Sequence, residues 1–211
     1  MARAYDSSVR LEGARRTRTS IVDTARELLL HGGYPAMTVA SLAAAAGVSP
    51  QTVYNSVGNK AAVVKAVYDQ MMAGDDAEVP MSDRPEFKAM FEAGDRAAFA
   101  RAYAGWVRLL AGRAGPLLGA LLAHGTDATL LEFTATIEQE CYLGTTHAIT
   151  GLCDRIGLAE HDTDDDGLRR LIDGVWTLNS PDCYDRLVRR RGWSPADYEA
   201  WLARQLIALL G

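Results

Sequence analysis

Apolar positions recur along this chain at three- and four-residue spacing almost from end to end. In "RTSIVDTARELLLHGGY", Ile21, Ala25, Leu28 and Leu29 share one helical face, and the Gly32-Gly33 pair ends the run. "TVASLAAAAGVS" follows, with Thr38 as its cap, Val39, Leu42 and Ala43 inward, and Gly47 as a left-handed C-terminal residue. Three residues later the pattern restarts in "SPQTVYNSV", where Ser49 caps and Pro50 takes the first helical position. "NKAAVVKAVYDQMMA" predicts a longer helix capped by Asn59.

The stretch 74–85, "GDDAEVPMSDRP", concentrates acids, two prolines and a glycine, and reads as a boundary. Beyond it, Asp95 caps a helix with the stripe Phe99, Tyr103, Trp106 and Leu110, and Pro116 opens a separate short apolar piece. A long helical run covers 127–155, an acidic turn precedes the helix 168–178, and two Ser-Pro starts at Ser180 and Ser194 open the last helices. No alternating segment of useful length and no internal repeat interrupts the pattern, so the predicted fold class is all-α.

Charge changes the picture more than bulk composition does. The 211 residues, 48% hydrophobic, suffice for one or two cores, and no apolar run reaches membrane-spanning length. With no apolar centre of a signal peptide and three cysteines in no tight pairing motif, the expectation is a cytoplasmic protein with reduced thiols. Net charge is −5, but residues 1–70 carry eight Lys/Arg against five Asp/Glu. A basic end on an acidic body can present a focused field to a polyanion.

A helix ending at Gly47 and another starting at Pro50 have the spacing of a helix-turn-helix unit. In such a unit the second helix enters the major groove, where its leading residues must match donors and acceptors on base edges. Gln51, Thr52 and Asn55 are short, polar and suited to that task, while Tyr54 and the Ser49 hydroxyl suit phosphate oxygens. Lys60 is out of place by local rules. A cation in a helix's first turn opposes the positive end of the dipole, at about 0.3–1 kcal/mol. A docked phosphate would reverse the sign and give the lysine a reason.

The segment "ARELLLHGGYPAMTVASLAAAAGVSPQTVYNSVGNKAAVVKAVYD" resembles the DNA-binding domain of TetR-family transcriptional regulators. Gly33-Tyr34, Thr38-Val39, Leu42-Ala43, Ala46 to Ser49, Thr52 to Tyr54 and Lys60 fall in order at the family's spacing, with Val53 and Val57 replacing the commoner leucine and phenylalanine. The resemblance implies an N-terminal three-helix domain over 15–73, with its helix-turn-helix at 38–57, and a C-terminal helical body over 86–211. It implies that Thr38, Gln51 and Thr52 face bases or nearby phosphates, and that Tyr54 and Lys60 contact phosphates of double-stranded DNA. Parts of the body, including 176–206, resemble an actinobacterial branch of that family. The family pattern further implies an unidentified small-molecule effector and a homodimer formed through the last helices, here 168–178 and 195–210. The stripe Tyr198, Trp201, Leu202, Ile207 and Leu209 is broad enough for both a core and a partner.

Other constellations carry less. Cys141, His147 and Cys153 are six residues apart, and each such step rotates about 240° on a helix, so no metal site is expected. Asp162, Asp164, Asp166 and Gly167 match the start of a calcium loop, but Arg169 and Asp173 break its remainder. The line Leu130, Thr134, Ile137, Cys141, Thr145 and Ala148 is more polar than packing alone needs. Tyr103, Trp106, Phe133, Thr134, Glu138, Cys141, Tyr142, His147 and Trp176 are the candidate lining of a mostly apolar effector pocket. No phosphate loop, nucleophile motif or cofactor motif is present, so the expectation is a non-enzymatic regulator. The competing reading is a helical binding protein or enzyme carrying a degenerate helix-turn-helix.

Overall fold

The computed structural model describes residues 2–74, 79–122, 127–156 and 165–211. Among these, every regular element is helical. In chain order they are α1 (Ala2–Ala36), α2 (Val39–Ala45), α3 (Pro50–Ser56), α4 (Lys60–Ala73), a short 3-10 turn (Met81–Asp83), α5 (Pro85–Phe91), α6 (Arg96–Leu122), α7 (Ala128–Ile156), α8 (Asp165–Leu178), α9 (Pro181–Tyr184), a π-helical turn (Asp185–Arg190) and α10 (Pro195–Leu210). Residues 75–78 of the predicted boundary and 157–164, with Asp162 and Asp164 of the calcium-loop pattern, lie outside the described residues.

The chain divides into two compact units, Met1–Ala77 with Pro116–Phe133, and Glu78–Gly115 with Thr134–Gly211. The first unit is built on the stripe that the sequence displays. Ile21, Ala25 and Leu29 of α1 are fully buried, as are Leu42, Val53, Val63 and Val67 from the three following helices. Phe133, from the segment 116–133, meets Tyr68 of α4 edge-on with ring centres 5.7 Å apart.

Local signals set the element boundaries here. Gly33 adopts φ 73°, ψ 176°, a conformation that essentially only glycine reaches, so it breaks α1 where the Gly32-Gly33 pair predicted a stop. Thr38 accepts from the Ser41 amide while Ser41 Oγ accepts from the Thr38 amide, closing a reciprocal cap on α2. At its other end Gly47 sits at φ 67°, with Val48 N–H donating to Ala43 O and Gly47 N–H to Ala44 O. That pair of bonds is the Schellman arrangement, and it fixes the turn into α3.

The second unit packs Phe99, Tyr198, Leu202 and Leu206 with Met90, Ile149, Leu152 and Val175 into one core. Along α10 the fully buried positions Tyr198, Leu202, Leu206 and Leu210 repeat every four residues, while Ile207 and Leu209 remain 37% exposed. Two predictions need correction. Pro116 does not start a separate piece but lies inside α6, which runs unbroken from Arg96 to Leu122. A proline removes one helical donor and crowds the carbonyl four residues before it, and here that residue is Gly112, with no side chain to add to the crowding. The helix expected from Ser180 is only one turn long and continues as the π-helical turn.

Candidate nucleic-acid interface

The predicted reading residues lie together on and around α3. Gln51, Tyr54 and Asn55 are exposed, Thr52 is half-buried, and Val53 between them is fully buried. One buried valine holds the short helix while its polar face turns outward. Tyr54 is 52% exposed, an unusual position for a large aromatic that only needed packing. Gln51 Nε2 donates to Asn55 Oδ1 at 2.9 Å, so the two amides present a linked edge one turn long. Ser49 Oγ accepts from the Thr52 amide at 3.1 Å and pairs with the Thr52 hydroxyl at 2.8 Å. Thr38 and Ser49 are exposed, but their hydroxyls already serve as helix caps.

Lys60 departs from the sequence argument. Its ammonium donates to the Tyr34 carbonyl oxygen at 2.7 Å and stands 3.6 Å from the centre of the Tyr34 ring. The premise that structure gives no reason for this lysine is therefore overturned. The broken end of α1 supplies a carbonyl and an aromatic face that offset the dipole's opposition. Burial pulls the Lys60 pKa below its ordinary value, against the opposite pull of the Asp127 carboxylate. Asp127 is linked to the same residue, since the Tyr34 hydroxyl donates to its Oδ1 at 3.3 Å. That carboxylate also accepts from the Thr129 and Leu130 amides at the start of α7.

Sequence reasoning missed Tyr34, Asp127 and Arg18 as supports. Arg18 Nη1 donates to the carbonyl of Ser56, the last residue of α3, at 2.9 Å. A guanidinium at a helix C-terminus is favoured by the dipole, and this one fixes the far end of α3 against α1. Nothing in the local spacing could have revealed a bond spanning 38 residues.

In the second unit the candidate pocket residues fall into separate groups. Tyr103 is buried, and its hydroxyl meets that of Thr145 at 3.1 Å while Asn179 Nδ2 donates to both oxygens at 2.7 and 2.9 Å. Burial pushes the Tyr103 phenol up to about 12, against the pull of those partners. Cys141 contributes its carbonyl to the Thr145 hydroxyl. Trp106 and His147 flank Phe87, with ring centres 5.8 Å from it in each case. Tyr142 lies edge-on to Trp176 and donates to Asp173 Oδ1. Thr134 is half-buried and Glu138 is exposed, while Phe133 belongs to the first unit beside Tyr68. Thr145 stands on the polar stripe noticed in the sequence, but Asn179 had no periodic signal because it lies just beyond the end of α8.

Cys141, Cys153 and Cys183 are free thiols, and burial raises the pKa of the latter two. Among the described residues no group of three His, Cys, Asp or Glu side chains could hold a metal. Asp166 is engaged by Arg169 and Arg170. No described helix is long and apolar enough to cross a membrane.

Comparison with known proteins places these observations. Residues 21–67 match the family described as bacterial regulatory proteins, tetR family. Among solved structures, the chain is similar to a Clostridium perfringens protein named "putative fatty acid metabolism regulator". The TM-score is 0.54 and the identity 14%, over 91% of this chain and 98% of that one. At that identity the likeness speaks for the fold. No curated protein matches. The matched segment holds the reciprocal cap, the glycine turn and the exposed face of α3, so residues 21–67 are similar to the DNA-binding domain of bacterial tetR-family regulatory proteins.

Proposed function

We propose that this regulator is a repressor that grips a near-palindromic operator as a homodimer and releases it when a small, largely apolar effector enters its C-terminal body. The observation that carries the DNA-reading part is the exposed face of α3, where Gln51, Tyr54 and Asn55 surround a single buried valine. In this reading residues 15–73 are the DNA-binding domain and 86–211 the effector and dimerisation domain. Gln51, Thr52 and Asn55 read base edges. Tyr54, Ser49, Thr38 and Lys60 hold phosphates, the hydroxyls of the caps exchanging partners or sharing them.

Dimerisation is supported by α10, where Ile207 and Leu209 stay over a third exposed. Leu209 also packs 3.5 Å from where a side chain on Gly174 of α8 would begin, so those two helices meet closely there. A twofold dimer would set its reading helices about 34–36 Å apart, one turn of duplex. For the effector, Tyr103, Thr145 and Asn179 form a buried polar cluster in an otherwise apolar core, the composition expected around a ligand's polar handle. An effector can release DNA only by as much as it favours the non-binding arrangement.

The test is selection from a duplex pool with a randomised centre, followed by affinity measurements on the enriched sequence. Wild-type protein should enrich a near-palindrome, Gln51→Ala should change the preferred bases, and Lys60→Ala should weaken all sequences alike. Failure to enrich any sequence would overturn the reading.

A further inference from the structure

We propose that the hydroxyl of Tyr198 on α10 is the hydrogen-bond donor that grips the effector, and that this effector is an uncharged, largely apolar molecule carrying an acceptor oxygen. The proposal rests on the reading of the C-terminal body as the effector domain. Tyr198 is fully buried, and its hydroxyl has no hydrogen-bond partner among the described residues. A buried hydroxyl left unpaired forfeits its bonds to water, and a phenylalanine would fill the same space without that cost. Packing therefore explains the ring and not the oxygen.

The other polar groups of this core are closed. Thr145 donates its single hydroxyl proton to the Cys141 carbonyl. The Tyr103 hydroxyl, 3.1 Å from Thr145 Oγ1, must therefore donate to it. Asn179 Nδ2 uses one proton on each of these two oxygens. Cys183, which acts on the Tyr198 phenol, directs its own thiol to the Thr177 carbonyl at 3.7 Å. The hydroxyl and side-chain amide protons of the Tyr103 cluster are all spent within it, so a ligand's acceptor finds no donor there. Tyr198 supplies the free one.

The surroundings of Tyr198 set the charge of what it takes. Burial first, then Cys183, Tyr184 and Tyr103, raise its pKa above the ordinary value, and none of these groups is a cation. An environment that resists a phenolate resists a carboxylate at the same place. A ketone or hydroxyl oxygen accepts the proton without bringing charge. The Tyr184 ring meets that of Tyr198 edge-on at 5.0 Å and Trp201 lies 5.8 Å away, so the apolar part of a ligand would face aromatic carbon. Trp201 is half-buried, so one ring beside Tyr198 reaches solvent. Tyr184 ends α9, a single turn that passes into the π-helical turn Asp185–Arg190, and such departures from α-helical backbone recur at functional sites.

The test titrates full-length wild type and Tyr198→Phe with acetophenone, a neutral ketone, and with benzoate, an anion of similar size, by calorimetry at neutral pH. Acetophenone should bind wild type, and benzoate about tenfold more weakly or not at all. Tyr198→Phe should lose about fivefold to tenfold of the acetophenone affinity, the worth of one net hydrogen bond. Without any probe the variant should melt no lower than wild type. A lower melting temperature would mean that the hydroxyl already holds a buried water, and would overturn the proposal. Equal affinity of the two proteins for acetophenone overturns it as well, as does tighter binding of benzoate, or no binding of acetophenone. Adding acetophenone to the complex with the duplex enriched by wild-type selection separates this site from the effector reading. If the ketone binds through Tyr198 and the complex stays intact at saturation, the effector reading falls and the ligand site stands. If DNA is released equally from both proteins, the effector reading stands and the role of Tyr198 falls.

Discussion

Lys60 and Tyr34 hold each other across the ends of α4 and α1, the ammonium bonded to the tyrosine carbonyl at 2.7 Å and resting 3.6 Å from the centre of its ring. The first residue of α4 thereby closes the break that Gly33 makes in α1. A charge that looks misplaced on its own helix is satisfied by another, 26 residues away in sequence. Lys60→Met, which keeps length without charge, should therefore lower stability by about 1–2 kcal/mol, because it removes a hydrogen bond and a cation–π interaction. Denaturant unfolding checks this. An unchanged midpoint would mean that the lysine serves DNA alone.

Asp127 links Tyr34 to the start of α7. Desolvation works against its charged form, but the Leu130 and Thr129 amides and the Tyr34 hydroxyl outweigh it and hold the carboxyl below its ordinary value. A depressed pKa in the folded state contributes stability above the unfolded value, 3.8, that is lost as pH falls through the folded one. Asp127→Ala should therefore unfold at a lower temperature than wild type near neutral pH. The gap should narrow below pH 3.8. Thermal melts of both proteins across that range test it.

Two buried tyrosines should respond oppositely to loss of a hydroxyl. Tyr103 shares its oxygen with Thr145 and Asn179, so Tyr103→Phe leaves partners stranded and should cost about 1–3 kcal/mol. Tyr198 is fully buried, and its hydroxyl has no hydrogen-bond partner among the described residues. Tyr198→Phe should be neutral or stabilise by about 1 kcal/mol. Unfolding midpoints of the two variants decide it.

The Tyr103 phenol also gives alkaline behaviour its sign. It ionises at 10.0 when unfolded and only at about 12 when folded, so the folded state keeps the proton longer and loses stability as pH rises above 10. Tyr103→Phe should flatten that part of the stability profile, measured by denaturant unfolding at stepped pH.

Gly33 has a conformation that no other residue adopts cheaply, with φ 73° and ψ 176°. Gly33→Ala should cost about 1–3 kcal/mol and disturb the Lys60–Tyr34 pair beside it. If DNA binding depends on that pair, affinity should fall more than stability alone explains. Paired melting and binding measurements separate the two effects.

The sequence by itself determined α2, α3, α4, the core-facing part of α1 and the turn between α2 and α3. Those features depend on residues close in the chain: Thr38, Ser49 and Asn59 as caps, Gly47 at positive φ, and a valine between polar neighbours on α3. Capping and backbone preference act over one turn, so they can be read from spacing. Only the tertiary structure decided what Lys60 does at the head of α4, that α6 passes through Pro116, and that Arg18 clasps α3. It likewise gathered Tyr103 of α6, Thr145 of α7 and Asn179 from the turn after α8 while leaving Phe133 with Tyr68. Periodicity tells which face of a helix turns inward, but not which side chain from a distant segment meets it there. Such meetings happen only where packing brings two faces together, and no residue's own neighbours in the chain record them.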